Sequence, residues 1–171
     1  MKKTLFVIAS LLIGLSIALV TATAEERATP EEVYQKVVDA AIMIESLGED
    51  GLKALSNTKE FVWKDSYVWA VDCEKGVCVA HPNEKYIGLE LNKVWDKNKD
   101  ESKRKLFNLE LCEGSKNPFG VWVEYYWERL GYDEPQRKIS FMINVPNQPY
   151  QVTAGIYDDE TSVQELMQLL K

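Results

Sequence analysis

Eight consecutive residues, Gly120-Val121-Trp122-Val123-Glu124-Tyr125-Tyr126-Trp127, constrain the fold of this chain more than any other stretch. Four carry aromatic rings and two are valine, types that suit the pleated, half-buried surface of a strand rather than a helix. The stretch is predicted as a central strand, because burying so many rings calls for neighbours on both sides. Alternation divides it: Tyr125 and Trp127 face one way, Trp122, Glu124 and Tyr126 the other. Such a wall serves either as plain core or as the lining of a small-molecule pocket.

Residues 1–24 read as a leader rather than as part of the fold. Lys2 and Lys3 precede an apolar run from Leu5 to Val20, and Ala22-Thr23-Ala24 supplies small residues at signal-peptidase spacing, with Glu25-Glu26 following. Cleavage after Ala24 would release a periplasmic or secreted protein of residues 25–171, one domain in length. The competing reading is an uncleaved membrane anchor. Removing the leader leaves 18 Lys and Arg against 27 Asp and Glu, a net charge of −9. A chain this acidic is not expected to bind nucleic acid or an anionic membrane surface.

Thr29-Pro30-Glu31-Glu32 is a helix start with a capping box and Pro at the first helical position. Val33, Val37, Ala41, Ile44 and Leu47 then recur at helical spacing up to Gly48. A short turn of helix over 52–56 leads to residues 60–65, read as a structured connection. Strands are predicted at 67–71 and 77–80, joined by the turn Cys73-Glu74-Lys75-Gly76. A polar segment, 83–105, follows, and then a helix over 101–113. Beyond the 120–127 strand come strands at 138–145 and 150–157 and a short C-terminal helix capped by Asp158 or Ser162. The fold class is α+β, with a five-stranded antiparallel sheet and a long N-terminal helix packed on one face.

Five motifs occur in order: Glu60-Phe61-Val62-Trp63-Lys64-Asp65-Ser66-Tyr67-Val68-Trp69; Val79-Ala80-His81-Pro82 with Ile87-Gly88; the 120–127 strand; Lys138-Ile139-Ser140-Phe141; and Ala154-Gly155-Ile156-Tyr157-Asp158-Asp159. Together they resemble the single Cache domains over about residues 30–160. The resemblance implies a PAS-like sheet with a ligand pocket on its front, in an extracytoplasmic sensor that binds small carboxylates or related metabolites. The chain departs from the pattern in ending at Lys171 without a signalling domain, and in the polar run Lys97-Asn98-Lys99-Asp100 where a Gly-containing turn is common. A solitary binding module is therefore the expected function. A membrane sensor partner and a homodimer through the N-terminal helix are the partners considered. The alternative is an accessory protein that docks on a receptor or on itself and has no ligand.

Within this frame the candidate ligand contacts are Trp69, His81, Tyr125, Tyr126, Trp127 and Lys138. His81 is the one histidine, held extended by Pro82 at a strand end. Lys138 could place a point charge against a carboxylate while a tyrosine hydroxyl directs it. If Glu128 opposes Arg137, Trp127 faces Lys138 and Tyr125 faces Ser140; a one-residue slip brings in Tyr126. No nucleophile motif, triad or zinc spacing is present, so catalytic residues, metal and cofactor are all expected to be absent.

Three cysteines in an oxidising compartment predict one disulfide and one leftover thiol. Loop closure is worth about 2 kcal/mol for Cys73–Cys78 and about 4 for Cys73–Cys112. A three-residue turn with a bulge at Gly76 would point Cys73 and Cys78 to opposite faces, so Cys73–Cys112 is favoured.

Overall fold

The computed structural model describes residues 26–129 and 131–170, so the leader expected over residues 1–24 lies outside the described residues. Helix α1, Pro30–Leu47, begins as its sequence dictates. The Thr29 hydroxyl accepts the Glu32 N–H, and the Glu32 carboxylate accepts the Thr29 N–H. It ends at Gly48, whose φ of 58° is one that glycine tolerates. Helix α2, Glu49–Asn57, follows at once.

Among the described residues six strands form one antiparallel sheet: β1 Val62–Trp63, β2 Ser66–Asp72, β3 Val77–Ala80, β4 Val121–Trp127, β5 Gln136–Asn144 and β6 Gln151–Tyr157. The sixth strand beyond the five expected is the two-residue β1, drawn from the connection at 60–65. The order is β1-β2-β6-β5-β4, with β3 also on β2. The aromatic strand β4 is therefore at an edge, and β6 takes the centre. The expectation of a central strand fails because rings can be buried from above and below as well as from the sides. The open edge of β4 is covered by the polar segment: the Lys97 N–H donates to the Tyr126 carbonyl at 2.8 Å, and the buried Asp96 carboxylate accepts the Tyr126 N–H at 3.2 Å.

The two faces of the sheet hold separate cores. Behind it, Val33, Val37, Ala40 and Ile44 of α1 pack on Val68, Ala70, Trp122, Ile139, Phe141, Val152, Ala154 and Ile156. In front lie Trp69, Val71, Val123, Tyr125, Trp127, Met142 and Tyr157, covered by Leu91, Phe107 and Leu111. Front and back residues alternate along β2, β4, β5 and β6, as the pleat requires, while β3 breaks the pattern at its register shift against β2.

Helix α3, Phe107–Gly114, starts six residues later than the sequence pattern predicts. Asp96, Asn98 and Asp100 each accept the N–H two residues on, and these local turns compete with a helix; residues 101–103 form only a single 3-10 turn. Cys73 and Cys112 form the disulfide, tying the β2–β3 turn to α3, while Cys78 stays a buried thiol. That turn is a four-residue loop, and both Cys73 and Cys78 belong to the front cluster. The sequence argument from opposite faces thus fails, and the approach of α3 selects the pairing. Helix α4, Val163–Gln168, is capped by Ser162, and its Leu166 closes the rear core.

Candidate functional site

The front face is laid out by strand register. Tyr125 of β4, Lys138 of β5 and Tyr157 of β6 form one row, and Val123, Ser140 and Gly155 form the next. Tyr126, not Glu128, opposes Arg137, so the hairpin is slipped by two residues from the pairing first considered. A two-residue slip leaves every side chain on its face. Tyr125 and Trp127 therefore share the front with Lys138. Tyr126 lies on the opposite face with Glu124, which pairs with Arg137, and does not join the other candidates.

A cavity of about 40 Å³ opens on this face. Its walls come from Tyr67, Trp69 and Val71 of β2, Cys78 of β3, Tyr125 and Trp127 of β4, Phe107 and Asn108 of α3, and five residues between β3 and α3: His81, Tyr86, Leu89, Leu91 and Val94. By this measure a water needs about 10–15 Å³, so the space admits about three. The disulfide and the cover of the β4 edge hold α3 and the polar segment over it. The polar segment 83–105 thus roofs the site through Tyr86, Leu89, Leu91 and Val94.

Lys138 is fully buried, and among the described residues its ammonium has no hydrogen-bond partner. Three rings surround it, with Nζ 4.1 Å from the centroid of Tyr67, 5.1 Å from Trp69 and 4.9 Å from Tyr157. Burial pushes its pKa down to about 7, partly countered by the negative charge of Asp65. That carboxylate is already engaged, 2.9 Å from the buried Arg129 guanidinium. Lys138 does not itself line the cavity; it meets it through Tyr67 and Trp69. Its stem lies beside Gly155, where an added Cβ would sit 3.0 Å from Lys138 Cε and 2.2 Å from Ser140 Oγ.

The other polar groups are largely committed. His81 Nδ1 accepts the Asn83 N–H at 2.8 Å, so the neutral ring carries its proton on Nε2. Burial, then the nearby Lys138 charge, hold its pKa down to about 4. Its ring packs against Tyr67 and Tyr86. The Tyr125 hydroxyl is bonded to Ser140 Oγ at 2.9 Å, and its ring stacks on Phe107 at 3.9 Å. The Tyr157 hydroxyl donates to the Glu128 carbonyl, and burial pushes the Tyr67 phenol well above the ordinary tyrosine range.

Five of the six sequence candidates, Trp69, His81, Tyr125, Trp127 and Lys138, converge here. Sequence reasoning missed Tyr67, Tyr86, Phe107, Asn108 and Tyr157. Tyr67 was within reach, since it stands two residues before Trp69 and so shares its face. Tyr157 needed the β5–β6 register, and Asn108 needed the true start of α3.

Residues 28–162 match the family model described as Cache domain. The chain belongs to the Cache domain family. Solved Cache-like structures share the fold. A methyl-accepting chemotaxis protein from Vibrio parahaemolyticus aligns with a TM-score of 0.61 at 16% identity, over 76% of this chain and 88% of its own. A periplasmic sensor domain of a chemotaxis protein aligns at 0.52 and 24% identity, over 76% and 90%. A Cache chemosensory domain solved for its carboxylic acid recognition aligns at 0.58 and 22% identity, over 75% and 92%. Among curated proteins nothing matches. As a Cache domain, the chain carries its front pocket between the sheet and the segment that follows β3. No helix among the described residues is long and apolar enough to cross a membrane.

Proposed function

We propose that this Cache domain is an extracytoplasmic binding module for a short-chain carboxylate, held by Lys138 with His81 as a second donor. The observation that carries the reading is the buried Lys138 ammonium, which among the described residues has no hydrogen-bond partner. An unpaired charge in a protein interior is costly, and an anionic ligand would supply the missing partner. Binding would require the four-carbon stem of Lys138 to carry Nζ past Tyr67 toward the cavity, where the His81 Nε2–H offers a neutral donor. Cavity size favours acids of about two to four carbons. One structural neighbour was solved for its recognition of carboxylic acids, which agrees with this class. The test pairs each acid with its primary amide in a thermal-shift and calorimetric series on residues 25–171. Acids should raise the midpoint and amides should not. An equal response to both, or no response to any acid, sinks the proposal.

A second reading, docking of another copy along α1, is favoured by an exposed apolar strip. Tyr34, Ile42, Phe119 and Leu169 are 46%, 60%, 64% and 69% exposed and line shallow grooves beside that helix. Sedimentation of wild type against Ile42→Glu decides it: a dimer lost in the variant supports this reading, and a monomeric wild type removes it.

A further inference from the structure

The cavity has a second polar feature that the carboxylate does not explain. Asn108, on the first turn of α3, is 5% exposed and lines the cavity, and among the described residues its Oδ1 is buried without a hydrogen-bond partner. Apolar side chains, Val71, Leu91, Val94 and Phe107 among them, share the cavity wall with it. A buried amide oxygen left without a donor costs free energy in the empty protein, and a ligand that fills the cavity with methylene groups alone would leave it so.

Resting on the carboxylate reading above, we infer that Asn108 is a specificity-determining residue that selects a hydroxyl on the ligand's chain, so that the preferred class is short hydroxy acids over the plain acids of equal length. Oδ1 is an acceptor and needs a donor from the ligand. A hydroxyl fits better than an ammonium, because no Asp or Glu lines the cavity and Lys138 already places a positive charge beside it. A hydroxyl also bonds the amide in either of its two orientations, being donor and acceptor at once. The carboxylate is fixed at Lys138 and His81, and the hydroxyl is read from α3.

The experiment is isothermal titration of propanoate, butanoate, 2-hydroxypropanoate, 3-hydroxybutanoate and 4-hydroxybutanoate into wild type, Asn108→Leu and Asn108→Ala. At least one hydroxy acid should bind wild type roughly fivefold or more tightly than its parent acid. Both variants should keep the parent acid and lose that preference. Equal affinity for every hydroxy acid and its parent in wild type overturns the inference, and so does a preference that survives in either variant. Neither of these results touches the carboxylate reading. Binding of none of the five acids overturns both.

Discussion

Replacing Lys138 by methionine should make the empty protein more stable and blind to acids at the same time. The two side chains are close in volume, so the change removes a charge without opening a cavity. At pH 6 the buried amine is charged both in the native state, with its pKa at about 7, and in the unfolded state, where it lies near 10.5. The difference of about 3.5 units corresponds to roughly 5 kcal/mol of native-state penalty. The rings of Tyr67, Trp69 and Tyr157 act on the same ammonium and belong to that balance rather than adding to it. Removing the charge therefore restores about 5 kcal/mol, a rise of about 10–20 °C in midpoint for a domain of this size. The sign with pH follows from a depressed lysine pKa. The unfolded chain binds more protons than the native one between pH 7 and 10.5, so wild type gains stability as pH rises through that window. The advantage of Lys138→Met should therefore shrink from pH 6 to pH 10. Scanning calorimetry of both proteins at pH 6, 8 and 10 reads this directly. A variant less stable than wild type at pH 6 would mean that the ammonium is satisfied in the native state, and the argument for an anionic ligand would fall with it.

Three further outcomes follow from the same geometry. Acid binding needs the ammonium, so affinity should fall about twofold from pH 6 to 7 and weaken toward tenfold per unit above, to about 100-fold below its pH 6 value at pH 9; level affinity from pH 7 to 9 in calorimetric titration would count against Lys138 as the anion contact. At Gly155, alanine would press on Ser140 Oγ, the Ile139 carbonyl and Lys138 Cε, so Gly155→Ala should cost about 1–3 kcal/mol in urea unfolding and abolish the acid response; a variant with unchanged stability and binding would show that the strand has slack there. Cys112→Ser opens a link spanning 39 residues, which loop-closure entropy values at about 4 kcal/mol, or about 8–16 °C in midpoint. Added reductant should lower the midpoint of wild type and leave the variant unmoved, and a variant as stable as oxidised wild type would contradict the estimate.

Features whose partners lie close together in the chain were legible from the residues. The capping box at Thr29 and Glu32 starts α1 where it was expected, because both partners lie within one helical turn. The period of two along a strand separated Tyr125 and Trp127 from Trp122 and Tyr126, and that division survived a register error of two residues. His81 and Lys138 were legible as polar residues in strand contexts that place few of them. Other features depend on partners far away in the chain. Tyr125 and Tyr157 flank Lys138 only through pairings with two different strands, and the rings of Tyr67 and Trp69 reach it from a strand some seventy residues earlier. The edge position of β4 follows from β6, the last strand in the chain, pairing between β2 and β5. Asn108 enters the cavity because side-chain turns at Asp96, Asn98 and Asp100 delay α3 and the disulfide holds it over the sheet. The sequence supplied a buried aromatic strand and a lysine near it. Tertiary structure alone closed three rings around that lysine and, among the described residues, left its ammonium without a hydrogen-bond partner, because a group's hydrogen-bonding state is a property of everything packed against it.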